Sequence, residues 1–222
     1  MNMTDNAIEI VKIARSKPYT NGSAGHHNGD LQGTEEQLEK SKLLVQSLLS
    51  VLGEDPNRDG LRSTPRRVAK MYTELLAGYQ MNATALVNNA LFDVEYDEMV
   101  VVNNIAFYSL CEHHLLPFFG HVHVAYLPGK RVIGLSKIPR LVEMYARRLQ
   151  IQERLTQQIA DELEAIVQPR GVAVVVDGLH LCSAMRGVRQ QDARLRTRVM
   201  RGAFRQDATL RRDFLEQLPP PE

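Results

Sequence analysis

The chain has 222 residues, 44% hydrophobic and 24% charged, with 27 Lys+Arg against 26 Asp+Glu. That is an ordinary globular composition, long enough for one large domain or a domain with an appendage. A net charge of +1 argues against a general polyanion binder, and no apolar run approaches the roughly 20 residues that span a bilayer, so no nucleic acid or membrane partner is expected.

Residues 1–15 lack the apolar core of a signal peptide, which makes the cytoplasm the expected location. Residues 16–33 are rich in Gly, Asn, Ser and His without hydrophobic periodicity, the pattern of a flexible arm. His26-His27 within it are expected to be solvated. Thr34 with Gln37 fits a capping box, and Leu44, Leu48 and Leu52 recur at helical spacing until Gly53. Thr64-Pro65 opens a second helix carrying Val68, Met71, Tyr72 and Leu75 on one face. From Met99 the period changes. Residues 99–102 and 105–110 read as strand, 118–127 as another, and 132–135 as a short extended piece after the Pro128-Gly129 turn. Two helices follow, over about 138–148 and 151–167, then a β-branched strand over 172–182 and a weaker strand over 195–204. Asp207 caps a last helix bearing Leu210, Phe214 and Leu218. Two strands, two helices and two strands make an α+β pattern, most simply an antiparallel sheet with helices over one face.

Two cysteines do not make a disulfide framework; their neighbours point elsewhere. Cys111-Glu112-His113-His114 sits where a strand gives way to a loop, so a tight turn can aim Cys111 and His114 at one ion. His180 and Cys182, two apart on the expected strand, share a face. Thiolate with imidazole suits zinc better than calcium or magnesium. Cys111, His114 and Cys182 give three ligands and leave a fourth position for water, the catalytic pattern, with His113 and His180 as spare bases. The alternative is a closed structural site in which His113 or His180 is the fourth ligand. His121 and His123 alternate on one strand and are expected to be solvated or interfacial.

Gly134-Leu135-Ser136-Lys137-Ile138-Pro139-Arg140 leads into a helix with Ser136 as a cap. Lys137 and Arg140 stand where the helix dipole disfavours cations, which makes sense if an anion binds there, although two solvated surface cations fit equally. Arg186, Arg189, Arg194, Arg196, Arg198 and Arg201 crowd one stretch; Arg186 is the best placed to face the metal pocket. Gln152-Glu153 is either ordinary helix-start polarity or a pair that reads a purine edge.

These motifs together, Cys111-Glu112-His113-His114-Leu115-Leu116-Pro117-Phe118, Gly134-Leu135-Ser136-Lys137, Gln152-Glu153-Arg154-Leu155-Thr156, His180-Leu181-Cys182 and Arg186-Gly187-Val188, closely resemble the GTP cyclohydrolase I family from about the first helix to Phe204. The resemblance implies a zinc-dependent enzyme that converts GTP and water to 7,8-dihydroneopterin triphosphate and formate, the entry to tetrahydrofolate and pterin synthesis. It implies the tunnelling fold, an antiparallel four-stranded sheet with two helices on one face plus N-terminal helices. Subunits of that fold join into a homodecamer with active sites between them. The domains are then a 1–33 arm, a 34–96 helical region and a 97–222 catalytic domain. Carried over by motif, Cys111, His114 and Cys182 bind zinc and His113 and His180 move protons. Gln152 and Glu153 hold the guanine, and Ser136, Lys137, Arg140 and Arg186 lie on the triphosphate and ribose side, with Glu112 also on the substrate side. Activated water would add at C8 of the guanine while a histidine protonates N7. One departure stands out: where the family shows a run of Thr and Ser, residues 195–198 keep only Thr197, and Arg198 replaces a small hydroxyl.

Two further readings compete: a relative on the same fold with another purine or pterin substrate, and a zinc-stabilised module that binds nucleic acid through the arginine-rich strand. The near-neutral charge and the 6% aromatic content speak against the second.

Overall fold

The computed structural model describes residues 35–220; the expected arm over 1–33, His26-His27 and the Thr34 cap lie outside them. The chain divides into two compact units, the first ending at Thr73 and the second starting at Glu74.

The first unit holds helix α1 (Glu35–Val51) and most of α2 (Thr64–Leu75). The acidic first turn of α1, Glu35 and Glu36, complements the positive end of the helix dipole, and Glu36 pairs with Lys40 one turn on at 2.7 Å. No residue of α1 is buried; Leu44 and Leu48 on its apolar stripe are exposed. Helix α2 begins at Thr64-Pro65, as expected.

The second unit opens with a 3-10 turn at Ala77–Tyr79 and the short helix α3 (Ala83–Val87), whose first turn is satisfied by Asn82 accepting from the Ala85 amide at 3.0 Å. Its centre is a five-stranded sheet. Strands β2 (Val100–Cys111), β3 (Pro117–Leu127), β6 (Gly171–His180) and β7 (Arg194–Gly202) run antiparallel in that order. The expected four strands are thus joined by a fifth, β5 (Leu149–Gln150), which pairs parallel with Leu110 and Cys111 at the β2 edge. Two residues are too few to show a strand period, so patterning alone does not reveal it. A separate ribbon pairs β1 (Leu91–Asp93) with β4 (Arg131–Ile133).

Helices α4 (Lys137–Ala146) and α5 (Gln152–Val167) cover one face of the sheet. Val122, Val124 and Tyr126 of β3 and Val172, Val174 and Val176 of β6 meet Leu141, Val142, Leu155, Ile159 and Leu163 there; each such side chain fully buried is worth about 1.5–3 kcal/mol. The opposite face is covered only in part, by α7 (Ala203–Gln206) and α8 (Ala208–Glu216), which place Phe204 and Phe214 over Ala125, Ala173 and Val175. Burial of β6 on both faces explains its continuous apolar run from Val172 to Val176. Asp207 caps α8 as expected, accepting from the Thr209 and Leu210 amides.

The break between 102 and 105 is a β-bulge within one strand. Three steps along β2, from Val102 to Ile105, match two along β3, from Val124 to Val122. Asn104, at φ 58°, supplies the left-handed residue, and its amide donates to His123 Nδ1 at 3.3 Å. His123 is therefore a buried structural histidine, 4% exposed, and not a solvated one. The expected strand to residue 182 is also shorter: β6 ends at His180, and Cys182 lies in a single helical turn, α6 (Leu181–Ala184).

Candidate active site

The C-terminal ends of β2 and β6 and the start of β3 meet beside the first turn of α5. The β2–β3 hairpin carries the Cys111 motif. Cys111 N donates to Leu116 O at 2.9 Å and Leu115 N to Cys111 O at 2.8 Å, and Leu115 closes the turn at φ 53°, a left-handed conformation that costs a non-glycine residue about 1–2 kcal/mol. Two elements hold this loop from outside. Glu112 N donates to Gln150 O of β5 at 3.0 Å. Arg154 in the first turn of α5 grips the Glu112 carboxylate with two hydrogen bonds, 2.6 and 3.1 Å. That grip outweighs partial burial, which works in the other direction, and holds the Glu112 pKa below the usual carboxylate value.

Cys111, His114 and Cys182 come together: their ligand atoms all lie within 4.8 Å of one another, with Cys111 Sγ 3.7 Å from His114 Nδ1. Bond lengths of about 2.3 Å to sulfur and 2.0–2.1 Å to nitrogen at a tetrahedral angle set the two atoms roughly 3.5 Å apart, so the pair already has the spacing of zinc ligands. Burial, and next the adjacent Cys111, push the Cys182 thiol above its ordinary value. Two thiolates this close repel each other until a cation sits between them. The donor set therefore fits a soft divalent ion. His113 Nδ1 lies 3.8 Å from Cys111 Sγ, but neither it nor His180 joins the group of three. The convergence does not come from strand alternation, since Cys182 is off the strand; the α6 turn after His180 delivers it.

His180 lies flat on Phe118, centroids 4.6 Å apart and planes at 8°. Burial lowers its pKa, and nearby Glu153 works in the other direction, so the site favours the neutral ring. Its Nε2 lies 2.9 Å from Gln152 Oε1. Gln152 differs from expectation. It is completely buried, and its amide nitrogen is spent on Val176 O, Leu195 O and Thr197 Oγ1 at 3.0, 2.7 and 3.2 Å. Glu153 is exposed beside it in the first turn of α5.

Ser136 is exposed at the start of α4 and makes no side-chain cap. Lys137 Nζ donates to Leu86 O at 2.9 Å. Arg140 and Arg186 are exposed, and the Arg186 charge acts on Cys182. The other arginines go elsewhere. Arg194 and Arg196 bind Asp177, and Arg201 binds Asp161 and Glu164. Asp177 alternates with Val176, so Arg194, Arg196 and, by the same alternation, Arg198 lie on the sheet face away from α5. Thr197, between Arg196 and Arg198, turns toward α5, where it is hydrogen-bonded to Thr156 at 2.6 Å. Arg198 therefore lies on the opposite face of the sheet from Gln152 and Thr156. The sequence reading passed over Arg154, Thr156 and Thr197 as site residues. Arg154 did carry a signal, since a cation in a helix's first turn is unfavourable unless paired.

The profile of the GTP cyclohydrolase I family matches residues 41–219. A protein of Deinococcus radiodurans named GTP cyclohydrolase 1 is 50% identical over 172 residues, 78% of this chain and 80% of its own length. One of the same name from Campylobacter curvus is 49% identical over 188 residues, 85% of this chain and 97% of its own. Another from Chromohalobacter salexigens is 52% identical over 168 residues, 76% and 91% of the two chains.

Proposed function

The chain belongs to the GTP cyclohydrolase I family, a family of hydrolases, and on that premise we propose that it is a zinc enzyme that converts GTP and water to 7,8-dihydroneopterin triphosphate and formate, the first step toward tetrahydrofolate. The observation that carries the zinc requirement is the group of three ligand atoms from Cys111, His114 and Cys182, with two further imidazoles close by and outside the group. Zinc held there supplies a Lewis acid that activates water at neutral pH.

The chain's own groups do the rest. His180, whose pKa burial lowers, and the exposed His113, 4.0 Å from the Glu112 carboxylate, take and return protons at the purine ring and the leaving formyl group. Glu153 accepts the N–H edge of the guanine, a bidentate role open to a carboxylate; Gln152, buried and engaged, does not contribute there. The start of α4, with Ser136, Lys137, Arg140 and Arg186, receives the triphosphate. Lys137 then exchanges the Leu86 carbonyl for phosphate oxygen.

We also place the site in a homo-oligomer, a decamer by family resemblance. Most of the outer edge of β2 is uncovered, since β5 pairs only with Leu110 and Cys111, and β7 is the other sheet edge. Two open edges of this length favour joining between subunits. Both cysteines are free, as suits a reducing cytoplasm, and among the described residues no helix is long and apolar enough to cross a membrane.

The test is formate and dihydroneopterin triphosphate formation from GTP by protein of known metal content, with ATP and dihydroneopterin triphosphate as competing substrates. Turnover of GTP that disappears on chelation and returns with zinc supports the reading. Folded, zinc-loaded protein that releases no formate from GTP rejects it.

A further inference from the structure

We propose that Gln152 is a positioning residue that fixes the tautomer of His180, so that Nε2 carries the ring proton and Nδ1 is the nitrogen that exchanges protons with substrate. The role of His180 in proton transfer rests on the reading above; the tautomer rests only on hydrogen bonds. A primary amide has two hydrogens on nitrogen and none on oxygen. Gln152 Nε2 faces two backbone carbonyls, Val176 O at 3.0 Å and Leu195 O at 2.7 Å, and a carbonyl can only accept. Both amide hydrogens are thereby placed, and the reverse orientation of the amide would set its oxygen against two others in a fully buried site. Oε1 is left as an acceptor, so His180 Nε2 at 2.9 Å has to donate.

The hydroxyls around the amide close the account. Thr156 Oγ1 donates to Gln152 O at 2.7 Å, so in the 2.6 Å contact between Thr197 and Thr156 it is Thr197 that donates. Thr197 Oγ1 then keeps its lone pairs for the Gln152 amide. Thr197 shares one amide hydrogen with a neighbouring carbonyl, and every donor in the chain from Thr197 to His180 has a single direction. The arrangement also requires the glycine opposite: a Cβ on Gly178 would stand 2.4 Å from Gln152 Oε1, where any side chain would displace the oxygen that His180 needs. The Phe118 stack fixes the plane of the ring and Gln152 fixes its proton. Among the described residues Nδ1 has no hydrogen-bond partner. The retention of Thr197 among arginines follows from the same network, since 197 is the one of residues 196–198 that faces it.

The experiment uses the full-length, zinc-loaded protein with ring-15N histidine, the His180 signals assigned by difference from His180→Asn. Protonated Nε2 with unprotonated Nδ1 is the expected pattern; protonated Nδ1 with unprotonated Nε2 overturns the inference whatever the substrate proves to be. Kinetics supply the second arm. Gln152→Ala should lower kcat about 10- to 100-fold, the usual cost of losing a group that orients a site residue, with KM changed less than about threefold. In a His180→Ala background the same substitution should cost less than about twofold more. An equal loss in both backgrounds would mean that Gln152 does not act through His180. Failure of the wild type to release formate from GTP would reject the functional reading and leave the tautomer result standing.

Discussion

Replacing Arg154 with Met removes the guanidinium that holds Glu112 while keeping most of the aliphatic stem. The pair is bidentate at 2.6 and 3.1 Å, but its side chains are 30% and 31% exposed, so it lies between two regimes. Breaking a fully buried pair costs about 3–5 kcal/mol, whereas an exposed one is worth about 0.2–1 kcal/mol. With water reaching a third of each side chain, about 1 kcal/mol is the reasonable value. Glu112 follows Cys111 and precedes His114 by two residues, so that energy goes into ordering the loop that carries two ligands. If it is expressed there, zinc affinity falls about fivefold, since 1.4 kcal/mol corresponds to tenfold. Competition with a chromophoric chelator measures this directly. Glu112→Gln combined with Arg154→Met should bind zinc no worse than Arg154→Met alone, because no unpaired carboxylate remains. Unchanged zinc affinity in Arg154→Met would refute the claim that the clamp orders the metal loop.

Gly178→Ala should destabilise the fold by about 1–3 kcal/mol, because its Cβ meets Gln152 Oε1 at 2.4 Å and the buried glutamine has nowhere to retreat; chemical denaturation showing wild-type stability would mean that this side chain is not fixed. Asp177 offers a pH test. Burial works against its ionised form, but the Arg194 and Arg196 hydrogen bonds outweigh it, and the pKa is lowered. Its contribution is therefore complete above the unfolded value of about 3.9 and is lost as pH falls through the lower folded value. The stability gap between wild type and Asp177→Asn should be constant near neutrality and shrink below about pH 4; a gap independent of pH down to acid unfolding would contradict the pairing.

The strong periodicities and motifs carried most of the fold. Helices α4 and α5 and strands β3 and β6 show at their expected places because each buries a face wide enough to impose its period. The bulge at Asn104 was legible only as an interruption, since a single left-handed residue leaves the flanking patterns intact. At Cys182 the expected alternation failed for a local reason: β6 stops at His180 and the chain turns, so the thiol arrives by a helical turn that apolar patterning cannot reveal. For Gln152 the sequence left two readings open, helix-start polarity or a purine contact, and only the tertiary fold shows the carbonyls of β6 and β7 that consume its amide. The arginines of β7 drew attention by number, yet alternation puts three of them on the far face.

The most direct test of the metal site is X-ray absorption at the zinc edge of the loaded enzyme, beside His113→Ala and His180→Ala. The account predicts two sulfurs at about 2.3 Å and two lighter atoms at about 2.0–2.1 Å, one of them the His114 imidazole and the other solvent, with the same shell in both variants. Loss of an imidazole from the zinc in either variant would show a fourth protein ligand closing the position that the chemistry requires to be open.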